Sequence, residues 1–247
     1  MRKEGCDQAS AADELVRDWQ RRGRIPAGAL GRQLAWPLIA QADALRADSD
    51  VDRVGSVTRE VRVDLGHGRR LIGVSEPGRE GLGPVLIHPG KHSLKYLVRT
   101  WIHGLAWQAM GGTGAGRCWQ LTSACKPKAW DVPAPLAADG ARALLQALVA
   151  TRDAGLRRPL PLLPDLVEAW AKAADDAEGL DAARQCWSAE AQPAGQPSAR
   201  HDQACRRIWH EPVDPFADAA TAAACCAAMA LLRAVAPPPA AAQGAGA

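Results

Sequence analysis

Residues 73–110 read GVSEPGREGLGPVLIHPGKHSLKYLVRTWIHGLAWQAM, and the fold turns on them. Val85, Leu86 and Ile87 form a short apolar run of the kind a buried strand uses, closed by Pro89 and Gly90. Leu94, Leu97, Val98, Trp101, Ile102 and Leu105 then recur at i, i+3, i+4, i+7, i+8 and i+11. That spacing puts them on one face of a helix, with Ser93 placed to cap it. Ahead of the stretch, Val61, Val63 and Leu65 alternate with Arg62 and Asp64, Gly66-His67-Gly68 turns the chain, and Leu71 to Val74 returns, which reads as a hairpin. The order is strand, turn, strand, helix.

Some metal-dependent nucleases build a carboxylate site on that plan, with one acid at the end of the first strand and an acid and a lysine on the second. Glu76 can fill the first position. The second strand ends Ile87-His88-Pro89, so isoleucine and proline stand where the acid and lysine are needed, and no carboxylate occurs from residue 81 to 130. His88 and His92 could touch a metal, but two histidines without an acid make a poor site for a hard cation. The chain is therefore expected to be non-catalytic, with no metal and no cofactor. A cryptic nuclease centred on Glu76 is the alternative. Gly111 to Gly116 lacks the Lys-Ser/Thr ending of a phosphate loop and follows a helix, so it reads as a flexible exit.

The 47% apolar content of the 247 residues is enough for a sizeable core. The net charge of +3 conceals an asymmetry: residues 1–130 carry 20 basic and 13 acidic side chains, the remainder 10 and 14. Lys91, Lys95, Arg99, Arg117, Lys126 and Lys128 fall in the window without carboxylates. A field of one sign suits a phosphate backbone or an acidic partner, and Lys91, Lys95 and Arg99 are the candidate DNA contacts. The alternative is a solvated face whose acidic neighbours come from elsewhere in the fold. Seven cysteines without a Cys-x-x-Cys pair read as reduced and structural. The absence of a signal core and of a long apolar run points to a cytoplasmic protein. The nine tryptophans read mostly as core and interface anchors.

Helices are expected from Ser10-Ala-Ala-Asp13, as a capping box, to Gly23, and from about Leu30 to Ala47 with a kink at Pro37. Asp48, Asp50 and Asp52 read as a linker. Cys118 to Thr122 and Ala129 to Val132 read as strands. A helix marked by Leu144, Leu145, Leu148 and Val149 closes at Gly155, and Asp165-x-x-Glu168 caps another through Trp170. Ala204 to Trp209 and Phe216 to Val235 read as helices, with a polar loop over 188–200 and a disordered tail from Pro237. The expected division is N-terminal helices over 1–52, a main domain over 53–235 and the tail over 236–247.

Arg22-Gly-Arg-Ile-Pro-Ala-Gly-Ala-Leu-Gly31, Leu71-Ile-Gly-Val74, the Gly83 to Pro89 strand and Trp101-Ile-His-Gly-Leu-Ala-Trp-Gln-Ala-Met-Gly-Gly112 occur in this order. Pro159-Leu-Pro-Leu-Leu-Pro164, Trp170 and Arg206-Arg-Ile-Trp209 follow. This series resembles the C-terminal domain of RecC, the gamma subunit of exodeoxyribonuclease V, from about residue 13 to 235. The resemblance implies an α/β (α+β) fold with a restriction-endonuclease-like core, catalytically degenerate, plus a helical C-terminal extension. It implies RecB and RecD as partners in a heterotrimer with ATP-dependent helicase and nuclease activity, double-stranded DNA ends as the nucleic acid, and a role in double-strand break repair. A full gamma subunit carries two helicase-like domains ahead of this region, so the resemblance also implies a fragment, a truncated reading frame or a separately encoded remnant, to which it assigns neither Chi recognition nor duplex splitting. A small stand-alone DNA-binding protein is the remaining alternative.

Overall fold

The computed structural model describes residues 3–48, 57–122, 124, 126–188, 203–209 and 214–235. The chain forms two compact units, one of residues 1–55, 87–92 and 119–129, the other of 56–86, 93–118 and 130–247. The architecture is α+β, with eight helices and two small sheets among the described residues. Asp50, Asp52, residues 189–200 of the expected polar loop and the tail from Pro237 lie outside them, while Ser188 is helical.

In the first unit, α1 (Lys3–Arg21) packs on α2 (Gly28–Asp48) through Val16, Ala35 and Ile39, with Trp19 and Ile25 partly buried against them. The turn between the helices is held by Gln20, whose Nε2 donates to the carbonyls of Pro26 and Gly28 at 3.1 and 2.9 Å. Gly23 ends α1 at φ 65°, as its sequence position suggests. The capping box does not start this helix: Ser10 and Asp13 lie inside it. Helix α2 passes through Pro37, since one missing N–H does not stop a helix that is packed on both sides of it. Its inner face is the small residues Gly31 and Ala35 with Ile39, while Leu34 and Leu38 point to solvent.

In the second unit, β1 (Glu60–Gly66) and β2 (Arg69–Val74) form an antiparallel hairpin that is a sheet by itself. Its turn uses His67 at φ 51° between Gly66 and Gly68, both at positive φ. Val61, Val63 and Leu65 are buried, with the intervening residues exposed. The second sheet has the order β3 (Gly78–Arg79), β4 (Gly83–Lys91), β5 (Arg117–Leu121), β6 (Pro127–Asp131). Pro89 and Gly90 do not break β4.

Helix α3 (Leu94–Ala109) buries Leu94, Leu97, Trp101 and Leu105, the face its spacing dictates. Ser93 stands at the N-cap in extended conformation, yet its side chain makes no capping bond. The Leu94 N–H is taken instead by Glu168, whose carboxyl is raised above the ordinary value chiefly by burial and also by the Asp165 charge. Glu168 lies on α5 (Pro164–Ala171), which starts with Leu163 at its N-cap and Pro164 in its first turn, so Asp165 does not cap it. Helices α4 (Ala138–Arg157), α6 (Asp176–Ser188), α7 (Gln203–Ile208) and α8 (Ala219–Arg233) complete the unit. At α8 the Asp218 carboxylate accepts the Thr221 N–H at 2.8 Å. Trp101, Leu145, Trp170, Phe216 and Met229 belong to one continuous core.

The segment after α3 is fastened, which corrects its reading as a flexible exit. Trp107 Nε1 donates to the Thr113 carbonyl at 3.0 Å, and Gln108 Nε2 donates to that of Gly114 at 3.1 Å. Glu80 Oε1 accepts from both the N–H and the hydroxyl of Thr113. Arg59 pairs with Glu80 at 2.9 Å while its guanidinium lies 3.9 Å from the centroid of the Trp107 ring. These hydrogen bonds come from residues around the glycines, whose sequence shows only conformational freedom.

Candidate functional site

Glu76 follows β2 by two residues and lies against the solvent side of α3. Its carboxylate forms an ion pair with Arg99, and only 15% of the Glu76 side chain is exposed. One turn further along the helix, His103 Nδ1 accepts the Glu76 backbone N–H at 3.1 Å, and His103 Nε2 lies 4.0 Å from the Glu76 carboxylate. An Nδ1 that accepts a hydrogen bond carries no proton, so the ring is neutral with its hydrogen on Nε2. Burial, the largest influence, holds the imidazole below its ordinary 6.5, and Arg99 adds to this while Glu76 opposes it.

A half-buried carboxylate needs a counter-charge, and here a guanidinium supplies it. Arg99 therefore occupies the position in front of Glu76 where a metal would need access. In β4, Ile87 and Pro89 have no ligand atom in their side chains. Among the described residues no three His, Cys, Asp or Glu side chains group to hold a metal ion. His88 and His92 both sit at the end of β4, and the His92 ring is held below its ordinary value by burial first and by Lys128 second.

Of the three candidate DNA contacts, Lys95 and Arg99 stand one turn apart and exposed on α3. The Lys95 ammonium lies 4.7 Å from the centroid of the Tyr96 ring. Lys91 is the last residue of β4, in the other compact unit. The field of one sign is reduced by acids from outside the window: Glu76 meets Arg99, and Asp131 meets Arg117 at 2.6 Å. His103 went unnoticed in the sequence, although its position at i+4 from Arg99 and i+8 from Lys95 was visible there.

Cys225 and Cys226 lie side by side on α8, and burial pushes the Cys225 thiol up to about 12.

The family described as RecC C-terminal domain matches residues 2–175. The chain belongs to this family. It is also 33% identical over 184 residues to "RecBCD enzyme subunit RecC" of two strains of Mycobacterium tuberculosis, covering 71% of this chain and 16% of the relative. The RecC subunit of Mycolicibacterium smegmatis is 34% identical over 163 residues, 63% of this chain and 14% of the relative. The chain thus spans about a sixth of the length of the RecC subunits it matches. The RecC match takes in the Glu76 ion pair, α3 and α4, while α6, α7 and α8 lie beyond residue 175. No helix among the described residues is long and apolar enough to cross a membrane.

The neutral His103 has a consequence in solution. Its folded-state affinity for protons is lowered, so the unfolded chain takes up the proton first as pH falls through 6.5. Stability therefore drops below that pH and levels off once the folded-state value is passed. His92 contributes in the same direction. His103→Gln is expected to flatten part of the decline in urea midpoint between roughly pH 7 and 5. An identical pH profile in the variant would remove His103 from this role.

Proposed function

We propose that the chain is a non-catalytic module of a RecBCD-type enzyme, exodeoxyribonuclease V, which acts through subunit assembly and handling of DNA ends in the cytoplasm during double-strand break repair. The observation that carries the reading is the Glu76–Arg99 ion pair: the one carboxylate placed for metal binding is neutralised by an arginine of its own helix–turn neighbourhood. Membership of the RecC family supports the partners, RecB-type and RecD-type subunits. The succession of β2, Glu76, β4 and α3 supports a degenerate restriction-endonuclease-like core. Its departure from that plan is that β2 and β4 lie in different sheets.

The test is co-expression with cognate RecB-type and RecD-type subunits. A complex that survives size exclusion is the expected result, and failure to associate with either subunit sinks the reading. The purified chain should leave linear DNA intact in Mg²⁺ or Mn²⁺. Cleavage abolished by Glu76→Gln would instead establish the cryptic nuclease. Lys91, Lys95 and Arg99 serve as phosphate contacts in this reading, each adding about one to the slope of log affinity against log salt. Lys95→Ala should reduce that slope more than Arg99→Ala, because Glu76 already shares the Arg99 charge. Equal slopes in wild type and in the triple alanine variant would exclude these residues as DNA contacts.

A further inference from the structure

The hairpin has one open edge. Strand β1 has a single strand neighbour, β2, and its other side is engaged: the Arg62 N–H points to Met110 Sδ at 3.5 Å, and Gln146 Nε2 donates to the Leu65 carbonyl at 2.7 Å. Among the described residues strand β2 has no such cover. Because the Arg62 N–H points away from β2, Arg62 and Ile72 form a non-hydrogen-bonded pair of the antiparallel ladder. The alternation gives Glu60 with Val74, and Asp64 with Arg70, the same character. The backbone N–H and C=O groups of Arg70, Ile72 and Val74 therefore all face outward. Among the described residues no hydrogen bond engages them.

The side chains of the same three residues share the outer face of the hairpin, where Ile72 is 69% and Val74 is 62% exposed. Soluble proteins usually blunt such an edge with a lysine, a proline or a bulge. Leu71-Ile72-Gly73-Val74 carries none of these, and the irregularity of the ladder lies beyond it, between Asp64 and Gly66. Arg69 is paired with Asp153 at 2.8 Å. Arg70 has no ion pair among the described residues, and its cross-strand neighbour Asp64 is committed to the Gly66 N–H at 2.8 Å.

We propose that β2 receives an extended segment of another subunit of the RecBCD-type assembly, which adds to the hairpin as a third strand. Only a strand can meet three outward donor and acceptor pairs at two-residue spacing. Its chemistry follows from the edge: apolar side chains at alternate positions over Ile72 and Val74, and an acidic residue opposite Arg70. That the occupant is a protein chain agrees with the relatives, which are named as subunits of one enzyme. The inference rests on the assembly reading above and assigns it a surface.

Ile72→Pro isolates the claim, because the N–H it removes points away from the β1 ladder and proline is tolerated at such edge positions. The variant should keep the wild-type circular dichroism and unfolding transition while its affinity for the cognate RecB-type or RecD-type subunit falls by about tenfold or more, the effect of losing one or two interface hydrogen bonds. Ile72→Lys, which keeps the N–H but charges the face, should also weaken binding. In the wild type the amides of Arg70, Ile72 and Val74 should exchange slowly only in the complex, a measurement that stands even if a variant misfolds. Unchanged affinity in Ile72→Pro, or unprotected amides in the complex, overturns the inference and leaves the assembly reading intact. Failure of the wild type to bind either subunit overturns the assembly reading itself. A concentration-dependent dimer that Ile72→Pro abolishes would assign the edge to a second copy and overturn the proposed occupant.

Discussion

Gly114→Ala should lower the stability of the second unit by about 4 kcal/mol, the sum of a strained backbone and an overpacked contact. Gly114 sits at φ +92°, where an L side chain is strained whatever the space. A Cβ there would also lie 2.3 Å from the Leu82 carbonyl carbon and 2.5 Å from the Gly83 nitrogen. Both are backbone atoms at the start of β4, so no rotamer change relieves the contact. The neighbouring bonds multiply the loss, since Gln108 holds the Gly114 carbonyl and the Gly116 N–H donates to Leu82 at 2.9 Å. Gly111→Ala is the internal control: φ is +82° but nothing lies within 4 Å, so only the backbone strain of about 1 to 2 kcal/mol applies. Thermal unfolding should show Gly114→Ala lower by roughly 10 °C and Gly111→Ala by a few degrees. Equal shifts would mean that the close approach to β4 contributes nothing.

The contrast between these two glycines shows where a sequence stops being informative. Gly111 to Gly116 announces freedom of φ, but the partners that use it, Glu80, Leu82 and Gly83, are some thirty residues away. Contacts set by periodicity were legible: the α3 stripe and the β1 alternation follow from spacing of 3.6 and 2. Contacts set by a remote carboxylate were not. The sequence offers Ser93 as the α3 cap, which Glu168 supplies, and it leaves open which acid from outside the window meets Arg99, a place that Glu76 takes. The same limit applies to α2, whose exposed Leu34 and Leu38 give no sign of its buried face. Small residues packed at the inner surface, Gly31 and Ala35, carry little apolar signal although close approach depends on them. For Gly31 the reason is plain in the geometry, because a Cβ would fall 1.8 Å from the Pro26 carbonyl oxygen.

At the candidate site the residue types were legible. Ile87 and Pro89 in the second strand, and the empty window from residue 81 to 130, already argued against metal chemistry. What the sequence withheld was the ion pair of Glu76 with Arg99 beside His103, because a contact between the end of β2 and α3, with β3 and β4 between them in the chain, leaves no spacing signature. It also withheld the division of the strands between two sheets. Period-two alternation predicts a strand without naming its neighbour. That division is what leaves β2 with an open edge.

Trp170→Ala should destabilise the second unit by about 4 kcal/mol, the usual cost of emptying a buried aromatic site. Trp170 is fully buried on α5, and two elements close on it. Gly179 of α6 lies so near that a Cβ would stand 2.4 Å from the indole Cδ1, and the Arg233 guanidinium of α8 stacks 4.2 Å from the ring centroid. Removing the ring leaves a cavity between helices that cannot all move inward, since α6 is already in backbone contact with the indole. Its N–H has no acceptor among the described residues, so the polar end of the side chain adds nothing to stability. Trp170→Phe therefore separates shape from hydrogen bonding: it keeps a ring under Arg233 and deletes an unsatisfied donor, and should cost less than about 1.5 kcal/mol. Urea unfolding of the two variants decides the matter. A loss in Trp170→Phe as large as in Trp170→Ala would show that the indole N–H makes a bond that stabilises the fold. A loss below about 1 kcal/mol in Trp170→Ala would show that α5, α6 and α8 do not depend on this side chain to pack together.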